Sequence, residues 1–286
     1  MQAANLFHQN FAVAESLLQL YQIFHGLKKA DLKDELRLAV CSHWGDPPHA
    51  VVHPACNDRV MVLARSVAPI PEALTSEGGL DFLLRQAVVV ACTSLEAFFW
   101  DVLRENVLTI VKARPRGADE SLQKLTFTLG DYMSIQQWGD PDERLRQIIL
   151  KNFERGTLYN TASIDRIAGI LTVPPKQYWE LVQKVSGEDS SQLNRKVSDL
   201  INRRNQIAHR ADRPSESETP DGLGLRPITF AWTNSHVQAA RTLVTASVEI
   251  FTQAMARLES DIRAAEEQAL ARKLAAKRET KEIAAP

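Results

Sequence analysis

Arg204, Asn205 and His209 stand within one hexapeptide, Arg204-Asn205-Gln206-Ile207-Ala208-His209, and bring three different chemical functions to it. Arginine is a fixed cation suited to a phosphate, asparagine an amide able to orient a hydroxyl, and histidine an imidazole that titrates near neutrality. These are the parts needed to cleave RNA without a metal, the 2′-hydroxyl of the substrate serving as nucleophile.

The hexapeptide closes a run of helical periodicity from Ser190 to His209, carried by Leu193, Val197, Leu200, Ile201 and Ala208. At about 100° per residue, Arg204 falls within the stripe made by Leu193, Val197 and Leu200. A guanidinium placed there needs a carboxylate, a carbonyl or a bound anion, because burying an unpaired charge is costly. Asn205 and His209 are four residues apart and so lie one above the other, flanking that stripe. The spacing alone fits a second arrangement as well, a helix-end cluster in which His209 satisfies terminal carbonyls.

Other elements must hold this helix. The strongest runs from Leu80 to Ala113, where Leu84, Val88, Ala91, Leu95, Phe98, Phe99 and Val102 form a wide apolar stripe and Asp81 occupies the first turn. It is expected to be the central core helix. Glu96 lies at the edge of its stripe and is expected to make a charge-assisted hydrogen bond to Arg204; a surface lysine is the competing partner. Two helices, Ala3 to Leu27 and about Leu32 to Val40, form an N-terminal extension over residues 1–70. Gly-Asp-Pro-Pro and His-Pro predict a loop between Cys41 and Asn57, and Asn57-Asp58 a cap for a short helix over Val60, Met61 and Leu63. Beyond Pro115, short helices near 121–125, 142–153, 163–171 and 175–185 read as an insertion. The acidic run Pro214 to Gly224 reads as a mobile loop, and Asn234 as the cap of a long helix through Ala239, Leu243, Ala246, Ile250 and Met255. Residues 71–256 thus make the main helical domain. The tail, 257–286, is charged and ends with a basic bias at Arg272, Lys273, Lys277, Arg278 and Lys281, as either a solvated helix or an arm tracking RNA.

Bulk properties set the limits. With 286 residues and 44% hydrophobic content the chain can bury a proper core. Its 34 basic residues nearly cancel 35 acidic ones, so RNA must be held by a local patch and not by an overall field. Three cysteines make no disulfide framework and point to a reducing, cytoplasmic compartment. The most apolar stretch, Ala87 to Cys92, is far short of a membrane span, so no membrane association is expected. Cys41, His43, His49, His53 and Cys56 crowd one Pro-rich loop and could supply zinc ligands, but their spacing matches no common motif, so no cofactor is expected. Trp100, Trp138, Tyr178 and Trp179 are expected in the core, with base stacking the alternative. His8, His25 and His236 lack a partner pattern, and no Gly-rich phosphate loop or nucleophile elbow is present.

The hexapeptide resembles the Arg, four residues, His motif of the HEPN superfamily, in the form where Asn follows the Arg. Val90-Ala91-Cys92-Thr93-Ser94-Leu95-Glu96-Ala97-Phe98-Phe99 is similar to the Ser/Thr-Leu-Glu-Ala-Phe helix of the RiboL-PSP branch. Leu125-Thr126-Phe127 and Phe153 to Leu171 are similar to that branch's middle insertion, so the likeness covers roughly Leu80 to Met255. It implies an all-α HEPN-type helical bundle that forms a homodimer and joins two motifs into one composite ribonuclease site. In that site His209 would be general base or acid, Arg204 would stabilise the phosphorane-like transition state, and Asn205 would orient the reacting groups. The implied partner is RNA, either tRNA or mRNA, cut to a 2′,3′-cyclic phosphate by a toxin or defence effector under an antitoxin or sensor. A non-catalytic dimeric scaffold or RNA-binding module is the alternative from a different class.

Overall fold

The computed structural model describes residues 1–113, 125–153 and 160–283, and it is an all-α protein carrying one small sheet. In chain order the elements are α1 (Gln2–Phe24), β1 (Lys28–Lys29), α2 (Asp34–Trp44), β2 (Val52–Cys56), β3 (Met61–Arg65), α3 (Glu72–Thr75) and α4 (Asp81–Ala113). After these come α5 (Leu129–Gln137), α6 (Pro141–Phe153), α7 (Thr161–Ile170), α8 (Pro175–Ser186), α9 (Ser190–Arg210) and α10 (Phe230–Ile283). The helix expected near 121–125 lies almost wholly outside the described residues.

The chain divides into two compact units whose boundaries fall within α1, α4, α9 and α10. One comprises 1–7, 95–198 and 241–286. Its core is aromatic: Phe98 packs edge-on to Phe7 and Phe99, and Phe99 edge-on to Phe251. Tyr178 of α8 stacks on Phe251, and its hydroxyl meets Ser247 Oγ at 2.6 Å. Burial pushes the Tyr178 phenol up, which keeps it a neutral hydrogen-bonding group. Trp179 donates its indole N–H to Asp165 at 2.7 Å. The expected core role thus holds for Tyr178, whereas Trp138 is half exposed, under the Arg144 guanidinium. In this unit α5 is a helix that periodicity did not announce. Its signal is a capping box, Thr128 Oγ1 accepting from the Asp131 amide while the Asp131 carboxylate accepts from the Thr128 amide.

The other unit comprises 8–94 and 199–240 and holds Phe11, Ala14, Leu18, Leu84, Val88, Ala91, Leu200, Ile201 and Val237 in its core. Residues 45–51 are a loop, as expected, but Val52–Cys56 of the expected loop is corrected to strand, and the short helix over Val60, Met61 and Leu63 gives way to the strand Met61–Arg65. β2 and β3 pair antiparallel, Ala55 opposite Val62, and β1 joins from the other side with Lys28 opposite Cys56, giving the order β1-β2-β3. Asn57 is the reason. Its Oδ1 accepts from the amides of Arg59 and Val60, both at 2.8 Å, so it builds a hairpin turn and caps no helix. Its Nδ2 bonds the carbonyls of Ile23 and His25, fastening the hairpin to the end of α1.

α4 is long and apolar enough to cross a membrane by length and composition, but 56% of its most apolar window is buried inside the protein, as befits a core helix. α10 begins four residues before Asn234. Thr229 starts it instead, its Oγ1 accepting from the Trp232 amide at 3.2 Å, and the helix continues through the charged tail.

Candidate functional site

The final turns of α9 have two unlike flanks. On one lies Arg203, only 8% exposed, with Asp212 at 1% and Arg85 of α4 at 6%. Asp212 Oδ2 takes a hydrogen bond from Arg85 Nε at 2.7 Å and another from Arg203 at 2.8 Å. Arg85 reaches on to Asp221 at 2.8 Å and to the carbonyl of Arg226 at 2.9 Å; Arg203 donates to the carbonyls of Arg226 and Pro227. Arg226 in turn bonds Gln206 and Glu218. Burial pulls the Arg203 guanidinium down from its ordinary value, while Asp212 holds it charged. Burial pushes Asp221 up, but the Leu225 and Leu223 amides and Arg85 outweigh it and leave the carboxyl below its usual range.

Residues 214–224 form a loop, as expected, and Glu218 and Asp221 tie it to Arg226 and Arg85. The network also shows which arginine the fold buries. Arg204, which the helical wheel centres in the apolar stripe, is half-buried, and its neighbour Arg203 is the buried one. A wheel treats both flanks of a helix alike, whereas here the segment after α9 folds back over one of them. Sequence inspection missed Arg85, Arg203 and Asp212. The available signal was a charged residue, Arg85, beside the apolar Leu84 and Val88 of α4.

The end of α9 is closed by its own backbone. Ala211 and Asp212 take left-handed φ of 51° and 55°, the Asp212 amide reaches the Gln206 carbonyl at 3.1 Å, and the Arg213 amide reaches that of Arg210 at 3.1 Å. Two successive non-glycine residues in this region are unfavourable, and the double ion pair of Asp212 offsets that strain. The His209 imidazole takes no part in the closure. It is exposed in the last turn of α9.

On this second flank Asn205 is half-buried one turn above His209, and its Oδ1 is buried without a hydrogen-bond partner among the described residues. Arg204 is half-buried beside it. Arg204, Asn205 and His209 therefore share the last turns of one helix, with the imidazole open to solvent and the other two partly sheltered. Glu96 is half-buried on α4.

The cysteine and histidine cluster does not converge. Cys41 is buried with its thiol toward the Ala50 carbonyl, while His53 and Cys56 belong to β2. Among the described residues no group of three or more His, Cys, Asp or Glu is placed to hold a metal.

A family model described as RiboL-PSP-HEPN matches residues 63–228, more than half of the chain, from β3 to just before α10. No curated protein and no solved structure gives a match. The matched stretch contains Glu96 and the whole hexapeptide from Arg204 to His209, and it ends before Trp232. By that match the chain belongs to the RiboL-PSP-HEPN family.

Proposed function

We propose that this protein is a metal-independent endoribonuclease of the HEPN class. The observation that carries the reading is the open flank of α9, where the exposed imidazole of His209 has no hydrogen-bond role in closing its helix and sits one turn from the unpartnered Asn205 carbonyl oxygen. A buried polar atom without a partner calls for an explanation, and a role in orienting substrate supplies one for Asn205. In the reaction His209 takes the proton of the substrate 2′-hydroxyl, or delivers one to the leaving 5′-oxygen. The 2′-oxygen attacks phosphorus, the bond to the 5′-oxygen breaks, and a 2′,3′-cyclic phosphate and a 5′-hydroxyl result. Arg204 stabilises the charge that builds on the phosphoryl oxygens, and Asn205 orients the reacting hydroxyl.

One chain carries one motif, so the complete site is formed by two copies in a homodimer, giving a base and an acid from the two His209 side chains. A tRNA or mRNA substrate and a toxin or antiviral role under an antitoxin or sensor fit such an activity.

Purified protein should cut RNA in the presence of EDTA and leave cyclic phosphate ends. His209→Ala should abolish cutting with its thermal melt unchanged. Activity lost on chelation would point to a metal enzyme. Absence of cleavage, with equal RNA affinity in wild type and Arg204→Ala, would leave a scaffold.

A further inference from the structure

On the same helix as the hexapeptide, but outside the residues assigned to cleavage, a cleft of about 500 Å³ opens between the end of α9 and the start of α10. Its walls are Asn202 and Gln206 from α9, Pro227 and Ile228 from the connecting segment, and Trp232 from α10. We propose that this cleft receives one unpaired nucleobase of the bound RNA, stacked on Trp232. The proposal rests on the ribonuclease reading and names how the same site holds its substrate.

Position is the first argument. Asn202 precedes His209 by seven residues, two helical turns, so the two lie along one line of α9 about 10.5 Å apart on its axis. A chain with its reactive phosphate at His209 therefore passes the mouth of the cleft within a short length of backbone.

The wall is the second argument. Trp232 is half-buried, with the His236 ring stacked on it at 4.0 Å between centroids and 23° between planes. Its amide is tied to Thr229 Oγ1, and its carbonyl is bonded to His236 Nδ1 at 2.7 Å. An indole braced in this way loses little freedom when a base stacks on it, and stacking tolerates any base because each has a π-face. Pro227 and the buried Ile228 give the cleft an apolar side.

Polar chemistry is the third. Asn202 is exposed, and its amide carries both donors and acceptors for a base edge; Asp199, also on the wall, adds a carboxylate that accepts from exocyclic amino groups. Arg203 lines the cleft, is nine-tenths buried, and its Nε has no hydrogen-bond partner among the described residues. Arg226 adds a second guanidinium. An apolar stacking wall beside mixed donors and acceptors matches an unpaired base better than a bare phosphate, and it directs recognition to single-stranded segments.

The test uses the full-length protein and a short single-stranded oligonucleotide with 2′-O-methyl riboses, which binds but lacks the nucleophile. Trp232→Ala should weaken its binding roughly tenfold or more, while Trp232→Phe keeps affinity within a few-fold. An abasic position scanned along the oligonucleotide should weaken binding to wild type at one site and have no further effect in Trp232→Ala. Asn202→Ala, an exposed change that leaves folding intact, should weaken binding a few-fold and checks the cleft if Trp232→Ala does not fold. Wild-type affinity in a folded Trp232→Ala, or in Asn202→Ala, would overturn the proposal, as would an abasic penalty that persists in Trp232→Ala. Cleavage separates the two ideas. If wild type binds through Trp232 but cuts no RNA, the ribonuclease reading fails and the cleft stands; if Trp232→Ala cuts RNA with unchanged KM, the cleft fails and the ribonuclease stands.

Discussion

The two flanks of the last turns of α9 differ in how their charged and polar groups are engaged. On the Arg203 flank Asp212 pairs with Arg85 and Arg203, Asp221 pairs with Arg85, and the Arg226 carbonyl accepts from both guanidinium groups. The His209 flank is open, with an exposed imidazole and a buried amide oxygen that no described group satisfies. Charged residues alone therefore do not mark the chemistry. Both flanks keep a buried polar atom without a partner among the described residues, Arg203 Nε and Asp212 Oδ1 on one and Asn205 Oδ1 on the other, so the contrast lies in the buried ion pairs of the first and the solvent-exposed imidazole of the second.

That contrast can be broken by mutation. His209→Ala should produce the largest change in activity, a fall of about 10²-fold to 10⁴-fold in cleavage, with a denaturation midpoint within experimental error of wild type. A large loss of stability would show that the open flank is structural after all. Asp212→Ala should do the reverse. It leaves the buried Arg203 without a counter-charge and Arg85 with Asp221 alone, and should cost about 3–5 kcal/mol of unfolding free energy in a urea titration. A loss near zero would mean that the Arg85, Arg203 and Asp212 cluster is not a working ion pair. Asn205→Ala should leave the melting temperature unchanged or slightly raised, because it removes an unsatisfied buried oxygen, while cleavage falls measurably. A clear destabilisation would assign the amide to the fold.

The smallest effect is on pH dependence. The Asp221 carboxyl sits below its usual range in the folded protein, so its stabilising contribution is complete above the ordinary aspartate value and disappears as pH falls through the lower, folded value. Calorimetry should therefore show Asp221→Asn melting lower than wild type at neutral pH, with the gap closing in acid. A gap constant with pH would detach the effect from that titration.

Much of the frame was legible in advance. α4 and α9 were expected within a residue or two of their observed ends, because each carries long, uninterrupted helical periodicity. The sheet was not, since a proline, Pro54, stands inside β2 and argues against a strand, and the hairpin depends on the side chain of Asn57, whose turn-forming bonds look from sequence like a helix cap. For the site, the hexapeptide and its family likeness stood out, and the arginine that the fold buries did not.

The sequence by itself determined the helical class, the helix that carries Arg204, Asn205 and His209, and the family, because these follow from short-range periodicity and from the identity of a few residues. Only the tertiary structure decided that Arg203 and not Arg204 is deeply buried, that Asp212 is its counter-charge, and that Trp232 walls a cleft beside Asn202. These depend on how residues 211–232 fold back along α9. Partners brought together in that way share no repeating pattern in the chain, and the energy that selects them, desolvation of charge against pairing, exists only once the segment has closed.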